Sequence, residues 1–155
     1  MNKFSKIIIS LFGIGFFPWA SGTIGSFFSI VFFFLIFEYL SFLNIIYIFL
    51  IIFFISIKLI DIYSNFINNH DPSEIVIDEF LGITFILIFY EYIKFTNDMV
   101  MFFLIFIIFR FFDIIKFYPS NWIDINIKNS WGVILDDIVA GAYCVIILYT
   151  LNVFL

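Results

Sequence analysis

The chain has 155 residues, of which 65% are hydrophobic and 27 are phenylalanine, with a formal net charge of −5. A water-soluble domain is nearer half apolar, and the interior of a globule this small cannot hold so much phenylalanine. Composition therefore excludes a soluble fold and implies one domain, residues 1–155, dissolved in a bilayer; the mean hydropathy of +1.19 agrees.

The N-terminus, MNKFSKIIISLFGIGFF, resembles a secretory signal, with Lys3 and Lys6 before an apolar run. No small-residue cleavage site follows, so the segment is expected to be retained. Residues 7–17 are too few to span a bilayer core, which takes about 20 apolar residues as a helix. They predict an interfacial or re-entrant piece that ends at Pro18.

Five apolar stretches follow, at 24–43, 45–60, 80–93, 99–112 and 138–155. The second is expected to continue past Asp61, and the fourth to run on to Lys116. The third is entered through Asp78 and Glu79, and the fifth starts at Asp136 and Asp137. FFSIVFFFLIF does not alternate as a barrel strand would, and in lipid the remaining option is the helix. The predicted fold is an all-α, polytopic membrane bundle of about five spans plus the N-terminal segment. Cys144 falls within an apolar run and reads as a packing residue; alone, it excludes an intramolecular disulfide.

Counting crossings puts PWASGT, the 61–77 loop, both acidic pairs, Arg110, Asp113 and Lys116 on one face. Six of the seven basic residues fall there, and only Lys94 falls on the other side. The positive-inside rule makes the crowded face cytoplasmic.

That face carries the chemistry. Four carboxylates at one membrane surface need a cation, and oxygen donors without a His or Cys cluster point to Mg²⁺ or Mn²⁺ rather than zinc. RFFDIIK sets Arg110, Asp113 and Lys116 along one helix face at a spacing of three. Arg and Lys are the side chains that bind phosphate. Ser21, Gly22, Thr23 and Gly25 precede a span, and such a loop can offer N–H groups to an anion. Carboxylates for a metal beside cations for a phosphate are the parts of metal-assisted phosphoryl transfer.

Four blocks in order, PWASGTIGS, HDPSEIVIDEFLGI, FRFFDIIKFYPSNWID and WGVILDDIVAGAY, are similar to those of the phosphatidylglycerophosphatase A family. The resemblance covers about residues 12–143. It implies a bacterial inner-membrane enzyme whose substrate is the lipid phosphatidylglycerophosphate and whose cofactor is Mg²⁺, releasing the terminal phosphate to leave phosphatidylglycerol. Carried over by position, it marks Gly22, Thr23 and Gly25; His70, Asp71, Asp78, Glu79 and Gly82; Arg110, Asp113, Lys116 and Pro119; and Asp136, Asp137 and Gly141. Ser21, Phe117 and the 129–131 stretch depart from the pattern but leave every charged group in place.

The expected roles follow. Asp78, Glu79, Asp136 and Asp137 hold the metal, while Arg110 and Lys116, with Gly22 and Thr23, bind phosphate. Asp113 orients Arg110 or joins the metal, and His70 and Asp71 are auxiliary candidates. Attack by an activated water and passage through an aspartyl phosphate both fit these residues. The alternatives are a small transport or channel subunit with a cation site, and a lipid phosphatase of different headgroup preference. Nucleic acid is not an expected partner.

Overall fold

The computed structural model describes residues 3–154, and the side chains from Ser5 onward. The charge of Lys3, assigned above to the crowded face, lies outside the described side chains. The chain is helical, with no strand among the described residues. Helix α1 is Lys3–Ile9, followed by a 3₁₀ turn at Ile14–Phe16. Helix α2, Ser21–Ile36, is prolonged by a 3₁₀ turn at Phe37–Tyr39. Then come α3, Phe42–Ile67; α4, Ile77–Ile88; α5, Tyr90–Ile93; α6, Asp98–Ile115; α7, Ser120–Asn126; and α8, Ser130–Phe154.

Three helical segments are long and apolar enough to cross a membrane: Ser21–Tyr39, Phe42–Ile67 and Ser130–Phe154. The other two of the five expected spans differ for separate reasons. The 80–93 stretch breaks at Phe89 into α4 and α5, and α4 has 12 residues, about 18 Å of helix. Ten of those residues are buried, because α4 is the inner helix, packed against α8, α3 and α2. A helix shielded by its neighbours need not match the lipid in length. Helix α6 has 18 residues but carries Asp98, Arg110 and Asp113.

Glycine sets the spacing of α4 and α8. A Cβ on Gly141 would lie 3.0 Å from the Gly82 carbonyl oxygen. A Cβ on Gly82 would lie 2.7 Å from the Phe109 ring and 3.0 Å from the Asp137 carbonyl oxygen. The two backbones touch there, as small residues allow between helices in lipid.

The start of α8 corrects the expected boundary of the last span. The helix begins at Ser130, so Asp136 and Asp137 sit about 10 Å along its axis, inside it rather than at its mouth. Asn129 caps it: its side-chain oxygen accepts from the amides of Trp131 (3.0 Å) and Gly132 (3.3 Å). Asp61 of α3 accepts from the Ser130 amide (3.2 Å), tying the second span to the start of the last. As expected, α3 continues past Asp61.

Helix α1, seven residues long, does not span. The chain turns through positive φ at Leu11, Phe12 and Gly13, and the Ile9 carbonyl accepts from the Val76 amide (3.0 Å). The segment thus folds back against the loop before α4. At the opposite end of the bundle, Lys94 pairs with Asp98 (2.6 Å), and Asn152 donates to the Tyr92 carbonyl (2.9 Å).

Because α4 and α8 meet at backbone contact, Gly82→Val should destabilise the protein by about 1–3 kcal/mol, the usual range for overpacking. A lower thermal midpoint in detergent micelles would show it; an unchanged midpoint would mean that the helices part freely.

Candidate active site

Four helices bring their polar ends to one place. The first turn of α4 supplies Asp78 and Glu79, and the second turn of α8 supplies Asp136 and Asp137. Helix α6 supplies Arg110 and Asp113, with Lys116 as its left-handed C-cap at φ 49°. The first turn of α2 supplies Ser21, Gly22 and Thr23. Between them lies a cavity of about 160 Å³, walled by both acidic pairs together with Asp71, Asp113 and Lys116.

Asp78, Glu79 and Asp137 form the inner group. Each offers an oxygen within 4.8 Å of the others, and their residues are only 9%, 8% and 3% exposed. Asp78 Oδ1 and Glu79 Oε2 are buried without a hydrogen-bond partner. Unit charges this close repel by about 3–4 kcal/mol per pair at an effective dielectric near 20. Three buried carboxylates, two of them with an orphaned oxygen, and no nitrogen or sulfur donor fit a hard divalent cation such as Mg²⁺.

Asp136, predicted as a fourth metal ligand, is drawn elsewhere. Its Oδ2 accepts from Lys116 Nζ (2.7 Å), and its Oδ1 accepts from the Asp137 amide (3.1 Å). Lys116 also pairs with Asp124 of α7 (3.1 Å). The predicted phosphate-binding lysine therefore lies on the cavity wall with two carboxylates already against it.

Arg110 ties three helices together. Its Nη1 pairs with Asp113, reaches Ser26 Oγ of α2 (3.3 Å) and stands 3.8 Å from Glu79 Oε1 of α4. Its Nε is buried and unpartnered. Arg110, Gly22 and Thr23 line a second cavity of about 600 Å³, which shares Ser21 and Ser73 with the acidic one. Gly22 has a steric role: a Cβ there would overlap Glu79 Oε1 and lie 3.3 Å from Arg110 Nη1.

The two auxiliary candidates separate. Asp71 faces the acidic cavity. Although its surface is open to solvent, the protein crowded around it raises its carboxyl above the ordinary range; Lys116 and His70 oppose this, and Asp124 and Asp113 add to it. His70 lines a different cavity of about 180 Å³, with Asp61 and Lys128, and takes no part in the acidic group.

Ser26, Ser73 and Asp124 were not singled out from the sequence. Ser26 had a signal, lying one helical turn after Gly22 on the same face. Ser73 accepts from Ser21 Oγ through its carbonyl (2.7 Å), a contact across 52 residues with no local trace. Asp124 meets Lys116 from the following helix, α7, eight residues on.

Lys116→Met leaves Asp136 buried without its partner and should destabilise the protein by about 2 kcal/mol. Asp124 is more exposed, and Asp124→Asn should cost less than about 1 kcal/mol. Thermal unfolding in detergent orders the two; equal losses would mean that Asp136 does not depend on Lys116.

A family model described as Phosphatidylglycerophosphatase A matches residues 7–152. The phosphatidylglycerophosphatase A of Escherichia coli (strain K12) is 33% identical over 138 residues, 89% of this chain and 77% of that protein. The phosphatidylglycerophosphatase A of Haemophilus influenzae is 34% identical over 83 residues, 54% of this chain and 48% of that protein. No solved structure matches. The match takes in all four sequence blocks and every helix except the first residues of α1 and the end of α8, and by it the chain belongs to the phosphatidylglycerophosphatase A family.

Proposed function

We propose that this protein hydrolyses the terminal phosphate of phosphatidylglycerophosphate, giving phosphatidylglycerol and inorganic phosphate, with Mg²⁺ as cofactor. The observation that carries the reading is the buried carboxylate triad beside Arg110, at the end of a bundle whose outer surface is apolar. A substrate that is half hydrocarbon and half phosphate matches both.

Asp78, Glu79 and Asp137 would hold the metal. When bound, Mg²⁺ supplies positive charge against the phosphate oxygens. Arg110 stands between the two cavities and offers its guanidinium to the phosphate, with Asp113 and Ser26 fixing its orientation. Helix α2 has no side-chain cap at its start, which leaves its first amides facing the same space. Lys116, steadied by Asp136 and Asp124, adds a second cation to the wall. Hydrolysis breaks the bond between phosphorus and the glycerol oxygen, and water supplies the new oxygen on phosphorus.

In this reading α4 with α5, and α6, complete five crossings of the bacterial inner membrane. The site end is cytoplasmic, since Arg110, Lys116 and Lys128 lie there and Lys94 lies at the other end. Trp19, Trp122 and Trp131 are exposed at the site end, where interfacial anchors belong.

Phosphate release from phosphatidylglycerophosphate by detergent-solubilised protein tests this. Asp78→Asn, Glu79→Gln and Asp137→Asn should each lower turnover by about 10²–10³, the scale of losing a group that stabilises developing charge. Removing divalent cations with EDTA should abolish release, and Mg²⁺ should restore it. Gly22→Ala should cost on the order of a hundredfold by displacing Glu79 and Arg110. His70→Ala should leave turnover at the wild-type level. Release that survives both Asp137→Asn and EDTA would overturn the proposal.

A further inference from the structure

A second recognition surface runs from the polar site along α2 and α6. On α6, Phe106, Phe103 and Met99 precede Arg110 by four, seven and eleven residues, and on α2, Phe27, Val31 and Phe34 follow Thr23 at four, eight and eleven. Such spacings keep each series on one helix face. The helices run in opposite directions, so both stripes lead away from the headgroup cavities. Between them lies an apolar groove of about 220 Å³, floored by buried Ile30 and Phe102. Phe27 and Phe106 meet edge to face across its upper end at 5.9 Å, next to Arg110 and Thr23. Below them Val31 and Phe34 are about two-fifths exposed, and Phe103 and Met99 are more open still.

We infer that this groove binds one acyl chain of the phospholipid substrate and so sets how the headgroup enters the site. The inference rests on the function proposed above. Three observations favour an acyl chain of the substrate over unselected membrane lipid. The groove begins about one helical turn from Thr23 and Arg110, which line the larger polar cavity, and lies on the same two helices. Its character changes within one turn, from guanidinium and hydroxyl to hydrocarbon, as a lipid does at its glycerol. Eleven residues of helix extend about 16 Å, close to the roughly 15 Å of hydrocarbon in one leaflet. A chain lying there would hold its phosphate against Arg110 while its tail stays in its own leaflet.

The test uses full-length protein and two substrates: long-chain phosphatidylglycerophosphate, and its deacylated, water-soluble headgroup. Val31→Trp fills the groove without touching the polar site. It should lower kcat/KM for the long-chain lipid by about tenfold or more, the scale of blocking an apolar pocket, and leave that for the deacylated compound unchanged. Unchanged turnover of both substrates would overturn the groove and leave the phosphatase reading standing. Failure of the wild-type protein to hydrolyse either would instead overturn the phosphatase reading. Because a tryptophan can disturb folding, the wild-type protein in phosphatidylcholine nanodiscs supplies a second measurement. A phosphatidylglycerophosphate probe with a diazirine at its acyl terminus should label 27–34 and 99–106 several-fold more than a phosphatidylcholine probe with the same chain. Equal labelling by the two probes would show ordinary lipid contact and overturn the inference.

Discussion

The site depends on how closely α4 and α8 approach. Gly82 and Gly141 let their backbones touch, and that contact brings Asp137 within reach of Asp78 and Glu79. The geometry sets attraction between helices against repulsion between charges. In water the carboxylates would keep apart; here packing of apolar helix faces holds them together, and the proposed cation would offset their repulsion. The closeness of the three carboxylates is thus set by the packing of the bundle as much as by the acids themselves.

The same logic explains the division of labour among the charged groups. Each cation in the site is tied to carboxylates: Arg110 to Asp113 and Glu79, Lys116 to Asp136 and Asp124. Buried charges are tolerated when paired, so these pairs keep the cavity wall ordered in a medium of low polarity. The triad of Asp78, Glu79 and Asp137 is the group whose charge is least matched by protein. An arginine that also contacts Ser26 joins α2, α4 and α6 at one point, which makes Arg110 a structural brace as well as the proposed phosphate ligand.

Much of this was legible before any coordinates. Long apolar runs mark α2, α3 and α8, because a lipid-facing helix has no polar side to break its pattern. The charged positions collect at one end, because charges near a membrane are confined to where water reaches them. What escaped the sequence depends on partners rather than on local pattern. Helix α4 is shorter than a span because neighbours shield it, which no run of residues reveals. Asp136 and Asp137 look equivalent along the chain, but successive helix positions point about 100° apart, so one meets Lys116 and the other meets the triad. His70 and Asp71 are adjacent too, yet line different cavities. The N-terminus of α8 was misplaced for a simpler reason. The capping signal at Asn129 was overshadowed by the acidic pair, which itself resembles a helix start.

The order in which the chain is made gives the α4–α8 contact one more consequence. Helix α4 emerges from the ribosome about fifty residues before α8 begins, carrying two acidic groups and the glycine surface meant for a partner not yet synthesised. Until α8 arrives, the α4 acids lack Asp137 beside them, and the proposed cation site is incomplete. On the proposed reading, the triad is complete only when the final helix docks.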